Sequence, residues 1–253
     1  MNTPGEVLFA RYAYAPNDLG YCGPGESEAL AELGSTGATD ADVTAIAKRF
    51  SGAWPYAAVL AQVAGIADPL DERVMRAYWT GRPLLDAGGR KAFALSLVNL
   101  LASQAGHYWS HLTPDLLPEV TPTHGFHVFG VYPWSRLLDG ETFEQPLRVL
   151  DDCRIRWGQV ISVDGEQVRV HSERLVWDGS RLSLGRAGDE SDRFALRGRS
   201  FVVRPAVGDW LALHWDWACD RLSGDDVAHL RSTTELQLAL TNARLARAKE
   251  SAA

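Results

Sequence analysis

The chain has 253 residues, of which 46% are hydrophobic and 23% are charged. This composition is typical of a globular protein that is long enough to bury a core without disulfide bonds. The formal net charge of −7 argues against proteins that coat nucleic acid or bind anionic membranes, because both need a basic surface. We therefore expect neither a nucleic-acid partner nor a membrane partner.

The number of cysteines indicates whether the protein belongs to a reducing or an oxidising compartment. There are three, Cys22, Cys153 and Cys219, so they cannot all pair, and no CxxC motif is present. A sparse, odd count suits a reducing environment. The first residues lack a basic and an apolar signal region, and no run of 18 apolar residues occurs. The sequence thus predicts a cytoplasmic protein, with no role assigned to Cys22 or Cys219.

The hydrophobic pattern changes near residue 145. Before it, spacings of three and four predict helices; they are expected at residues 26–33, 40–50, 55–64, from 68 onward, 91–103 and 132–138, with a loop at 112–123. After it, the period becomes two. Asp164-Gly165 and Asp178-Gly179 predict hairpin turns, further strands are expected at 200–203 and 209–215, and a helix is expected from Gly224 to about 249.

The sequence therefore predicts an α+β protein in two parts. Residues 1–145 form a helical domain of unknown function. Residues 146–253 form a small OB-like antiparallel β-barrel with a C-terminal helix.

A histidine cluster is the first candidate site. His107 and His111 are four residues apart, which places both imidazoles on one face of a helix, and His124 and His127 follow shortly after. The four predict either a metal or acid–base site, or histidines that form hydrogen bonds within an aromatic core.

Cys153 and His214 form the second candidate. Cys153 precedes Arg154 and Arg156 at the expected start of the first strand, and His214 ends an apolar strand among tryptophans. One thiol and one imidazole make a ligand pair for a soft or borderline metal if they meet in space.

These two motifs resemble the two ends of the hydrogenase-assembly chaperones of the HypC/HupF type. The segment that starts at Cys153 is similar to the chaperones' first motif, and residues 208–218, which read GDWLALHWDWA, are similar to their strand-end histidine motif. The resemblance covers roughly residues 153–235. The whole chain also resembles an uncharacterised bacterial family with this two-part layout.

The resemblance implies a maturation factor rather than an enzyme. Cys153 and His214 are the implied ligands of an iron centre that carries CO and cyanide, bound for the large subunit of [NiFe]-hydrogenase. The implied partners are that subunit and a HypD-like iron–sulfur protein. Such iron would be lost on purification in air.

Two other functions stay open at the level of sequence. One is a metal-dependent enzyme that uses His107, His111, His124 and His127. The other is a protein-interaction module in which Cys153 is buried and inert.

Overall fold

The structure is a computed structural model that describes residues 2–104, 114–140 and 142–252. Its α-helices are α1 (Pro4–Asp18), α2 (Ser27–Thr36), α3 (Val43–Lys48), α4 (Trp54–Ala64), α5 (Glu72–Thr80), α6 (Ala87–Gln104), α7 (His124–Phe126), α8 (Glu144–Cys153) and α9 (Gly224–Ala252). The described residues also include two 3₁₀ helices, Pro114–Glu119 and Pro133–Leu137, and one π-helical turn, His127–Val131.

Local capping explains several helix starts. Thr3 and Glu6 form a reciprocal capping box at α1, and a proline occupies the first turn of α1 and of α4. The sequence prediction missed α1, although its capping signal is readable. The helices expected at residues 26–33, 55–64, 91–103 and from 224 onward are confirmed with shifted ends.

Nine strands follow α8. They are β1 (Arg156–Asp164), β2 (Gln167–Ser172), β3 (Leu175–Trp177), β4 (Leu182–Leu184), β5 (Gly188–Arg193), β6 (Ala195–Leu196), β7 (Arg199–Ser200), β8 (Trp210–His214) and β9 (Trp217–Leu222). The expected hairpins at Asp164-Gly165 and Asp178-Gly179 are confirmed as β1–β2 and β3–β4.

Five strands form one mixed sheet in the order β1-β2-β5-β9-β8. Strand β8 also pairs with β1, so the ring of hydrogen bonds closes. The predicted α+β class and the C-terminal helix are confirmed. The sheet is not wholly antiparallel, because β5 meets β9 in parallel through the single pair Arg193 and Trp217. An interior of Val, Leu and Ala side chains fills the ring.

The predicted start of the first strand is wrong for Cys153. Cys153 is the last residue of α8, and β1 begins three residues later. The apolar positions Pro146, Val149, Leu150 and Cys153 have helical spacing and face the interior. The thiol is therefore presented by a helix end against the sheet.

The two predicted parts share one hydrophobic core. The predicted boundary at residue 145 lies in the first turn of α8. A single cluster joins Phe9 and Tyr12 of α1 with Trp215 and Cys219 near the sheet. The division into domains 1–145 and 146–253 stays a prediction.

Among the described helices, none is both long and apolar enough to cross a membrane.

Candidate metal centre

Three side chains from distant elements meet in the core. His124 of α7, Cys153 of α8 and His214 of β8 are all buried, and one nitrogen or sulfur atom from each lies within 4.8 Å of the others. The His124 Nε2 to Cys153 Sγ distance is 3.9 Å. Donors around one tetrahedral ion lie about 3.3–3.7 Å apart, because each bond is about 2.0–2.3 Å long. A modest contraction therefore turns this cluster into a coordination site.

The hydrogen bonds of His214 determine which nitrogen is free. Its Nδ1 lies 2.7 Å from the carbonyl oxygen of Tyr12, which only accepts, so Nδ1 carries the proton and donates. Burial lowers the pKa of His214 to about 4, so the ring is neutral at pH 7. Its Nε2 is buried and has no hydrogen-bond partner in the described part of the chain. A lone pair there, with Nδ1–H held by a carbonyl, is the usual state of a metal-binding histidine.

His124 lies in a chain of three close polar contacts. The Tyr78 hydroxyl contacts the Gly52 carbonyl and also lies 2.9 Å from His124 Nδ1, and His124 Nε2 lies 3.0 Å from the Cys153 carbonyl. A neutral imidazole and a phenol supply two protons for these three contacts. Two proton placements fit these contacts: Nε2–H donates to the Cys153 carbonyl and leaves Nδ1 as an acceptor, or Nδ1–H donates to Tyr78 and leaves a lone pair on Nε2. A metal ion at Nε2 would select the second placement.

A second proton on the His124 ring is disfavoured. Burial lowers the pKa of His124 well below its ordinary value, and the neighbouring His214 and His127 lower it further. Burial also raises the pKa of the Cys153 thiol, helped by the nearby Cys22. The metal-free centre is thus neutral, and a bound metal would displace the thiol proton.

A cavity of about 150 Å³ adjoins the three donors. Most of its lining is apolar or aromatic, and the lining includes Cys22, Gly52, His127, Tyr132 and Trp215 beside the donors. Burial raises the pKa of Cys22 to about 11, although hydrogen bonds from Gly52 and Tyr132 oppose this. Cys22 is therefore a neutral thiol facing the cavity.

A strained turn places Trp215 over the cavity. Trp215 and Asp216 join β8 to β9 with φ of 51° and 59°, a conformation that usually selects Asn-Gly. Trp215 stacks on Tyr21 with ring centres 4.0 Å apart, and its backbone N–H donates to the Asp152 carbonyl. The turn thus holds an indole beside the cluster of His124, Cys153 and His214 at a conformational cost.

A buried ion network holds the backbone on both sides of Cys153. Arg174 contacts Asp151, Asp152 and Glu190 at 2.7, 2.9 and 2.9 Å. Arg154 pairs with Asp151 at 2.8 Å. These pairs fix the end of α8, and with it the position of the thiol.

Arg156 extends the same network on the face of the sheet that carries Val160 and Leu213. Its side chain is fully buried and contacts Glu190, Asp192 at 3.1 Å and Asp216 at 3.5 Å. Asp216 is the turn residue next to Trp215, so the network and the cavity share one turn.

The structure brings together residues from both predicted sites. Cys153 and His214 meet as the second candidate requires, and His124 joins them from the histidine cluster. The His127 ring lies 6.0 Å from that of His124. His107 and His111 lie outside the described residues. Cys219 is buried, and its thiol lies 3.5 Å from the Trp217 carbonyl.

Sequence reasoning missed the grouping and its supporting residues. Nothing in the spacing links position 124 to 153 and 214, and Tyr78 and Gly52 carried no signal. The π-helical turn at His127–Val131, a feature that often marks a functional site, is visible only in the structure.

Comparisons with known proteins give a family without an assigned activity. The family of unknown function DUF6390 matches residues 1–248, and the HypC/HupF family does not match. No curated protein and no solved structure matches the chain. The match spans nearly the whole sequence and is consistent with the expected uncharacterised family. The chain belongs to the DUF6390 family.

Proposed function

We propose that this protein binds one transition-metal ion through His124, Cys153 and His214 and keeps a further coordination position open to the cavity. The observation that carries the proposal is the meeting of three buried donors from distant elements within 4.8 Å of one another, in which His214 Nδ1–H is held by Tyr12 and His214 Nε2 has no hydrogen-bond partner within the described residues. A buried polar atom without a partner is costly and calls for an explanation such as a bound ion or an ordered water.

The donor set restricts the metal. Two imidazoles and one thiolate suit zinc, copper, iron or cobalt, and they disfavour magnesium and calcium, which prefer oxygen. Three protein ligands beside a cavity match sites that keep an exchangeable position rather than closed structural sites.

The test is metal uptake by the full chain. Purified apoprotein is titrated with Co²⁺ without oxygen, and the sulfur-to-cobalt charge-transfer band and the bound metal per chain are measured. We expect one metal and a thiolate band in the wild type, loss of the band in Cys153→Ala, and weaker binding in His214→Ala. Cys219→Ala is the matched control, because Cys219 is equally buried but outside the cluster. Equal uptake by Cys153→Ala, or none by the wild type, would overturn the proposal.

A narrower role in hydrogenase maturation is the second candidate. It is favoured by one observation: Cys153 and His214, the ligands implied by the resemblance, lie in the same cluster. In this role the cluster carries iron with CO and cyanide, with a HypD-like protein and the hydrogenase large subunit as partners. The burial of Cys153 means that handover of iron would need the wall at Trp215 and Tyr21 to open.

The second candidate has its own readout. The chain is co-expressed with those two partners without oxygen, and infrared spectra are recorded for CO and cyanide stretching bands. Bands lost in Cys153→Ala support carriage of iron. Bound metal without such bands supports the metal centre alone.

A further inference from the structure

The cavity beside the metal centre is lined by a buried histidine, His127, and by two tryptophans, Trp79 and Trp215, whose side-chain nitrogens have no hydrogen-bond partner within the described residues. His127 is 2% exposed and lines the cavity. Its Nδ1 lies 3.1 Å from the Tyr56 hydroxyl, and its Nε2 has no hydrogen-bond partner among residues 2–104, 114–140 and 142–252. It differs from His214, whose Nδ1 meets a carbonyl.

Tyr56 determines where the single proton of His127 lies. The Tyr56 ring is fully buried, and its hydroxyl reaches Nδ1 of His127. A buried phenol is satisfied by donating its proton, so Nδ1 accepts and the ring proton lies on Nε2. Burial lowers the pKa of His127 to about 3, which keeps the ring neutral. His127 thus presents an N–H, whereas His214 presents a lone pair.

The space at this N–H is kept open by a glycine. A methyl group at position 52 would lie 2.6 Å from His127 Nε2, so any larger residue there would crowd this nitrogen. The cavity itself, at about 150 Å³, is of the size that holds one benzene molecule in an engineered protein core. It therefore admits a ligand of up to about six heavy atoms.

We propose that the cavity binds a small molecule or singly charged anion that attaches to the metal through one atom and accepts a hydrogen bond from His127 Nε2–H through another. This inference rests on the proposed metal site. The apolar walls disfavour ligands with several charges or many polar groups. The His127 donor, next to Gly52, favours ligands whose far end carries a lone pair. His127 is a ligand-binding residue in this arrangement, and Tyr56 positions it.

Azide is the probe, because it is small, linear and anionic and has an acceptor at each end. The full chain is loaded with Co²⁺, bound metal is measured, and azide is titrated while the visible d–d spectrum is recorded. We expect saturable azide binding to the wild type. His127→Phe fills similar space without a donor and should weaken azide binding roughly tenfold or more, since it removes a hydrogen bond to a charged acceptor.

Two further variants separate a lost donor from a damaged fold. His127→Gln retains an N–H donor and should recover part of the affinity. Tyr56→Phe frees the His127 proton to move to Nδ1 and should weaken azide binding while the cobalt stoichiometry stays unchanged. A third variant, Gly52→Ala, tests the space beside His127 Nε2 and should block azide binding through crowding.

The outcomes distinguish the ligand from the metal. If the wild type takes up no cobalt, the metal site and its ligand are both rejected. If cobalt binds but azide leaves the spectrum unchanged, or binds His127→Phe as tightly as the wild type, only the ligand inference is overturned.

Discussion

Two buried polar clusters meet at Cys153, and they are built on opposite principles. On the Arg156 side, guanidinium groups and carboxylates are joined by ion pairs, with Arg156 Nε and one Asp192 oxygen left without a hydrogen-bond partner in the described regions. On the cavity side, the polar groups are neutral, and the Nε2 atoms of His127 and His214 lack protein partners in the described regions.

This difference in bonding distinguishes polar residues that stabilise the fold from polar residues that are candidates for binding a ligand. Paired buried charges are costly to break singly and need nothing from outside the protein. In the second cluster, a hydrogen bond at Nδ1 positions the imidazoles of His127 and His214, while the Nε2 of each has no protein partner among the described residues. Such an imidazole is fully bonded only when a ligand is present. We therefore infer that the first cluster serves the fold, and we propose that the second serves binding.

The largest effect is expected when the ion network is broken at its centre. Arg156→Met leaves Glu190 and Asp192 without their buried counter-charge and should lower the free energy of unfolding by about 3–5 kcal/mol. Urea denaturation measures this. Arg169→Met is the control, because the Arg169–Asp189 pair is exposed and should cost less than about 1 kcal/mol. Equal losses would show that the buried network stabilises the fold no more than an exposed ion pair does.

A second test compares the cavity side with and without metal. Free metal at about 100 times its Kd should raise the wild-type free energy of unfolding by about 2.7 kcal/mol. Cys153→Ala should lose most of this gain, while costing only about 1 kcal/mol in the metal-free protein, because it leaves a small void. Cys219→Ala should keep the gain. A metal effect that is the same in all three proteins would show that the cluster is not the site.

The smallest expected effect is a pH dependence of the network. Burial raises the pKa of Asp192 to about 6; Arg156 opposes this, while Glu190 and Asp216 add to it. A carboxyl with a folded pKa above its unfolded value of about 3.9 stabilises the fold at low pH, and this is lost as the pH rises through 6. Between pH 5 and 7 the wild type should lose about 1 kcal/mol relative to Asp192→Asn, measured by urea denaturation. Parallel profiles would show that Asp192 stays ionised.

Local signals predicted the parts of the fold that local chemistry determines. The Asp-Gly turns and the Gly224 helix are such cases. Strand β5 reads GDESDR, which has no strand propensity. It is a strand because it pairs with β2 and contacts Arg156, and neither interaction can be read from the local sequence. The Cys153 and His214 pair was foreseen through a motif resemblance. His124 was not assigned to that pair, because only the tertiary fold brings α7 to α8.

The wide separation of the proposed metal ligands in the chain has a kinetic consequence. His124 and Cys153 are 29 residues apart, and the bond that orients His214 joins residues 202 positions apart. Zinc fingers, by contrast, gather their ligands from nearby positions and fold around the ion. Here the helical part and the sheet must dock before a metal meets all three donors. Metal would therefore be captured by the folded chain, slowing its unfolding while leaving its refolding rate nearly unchanged.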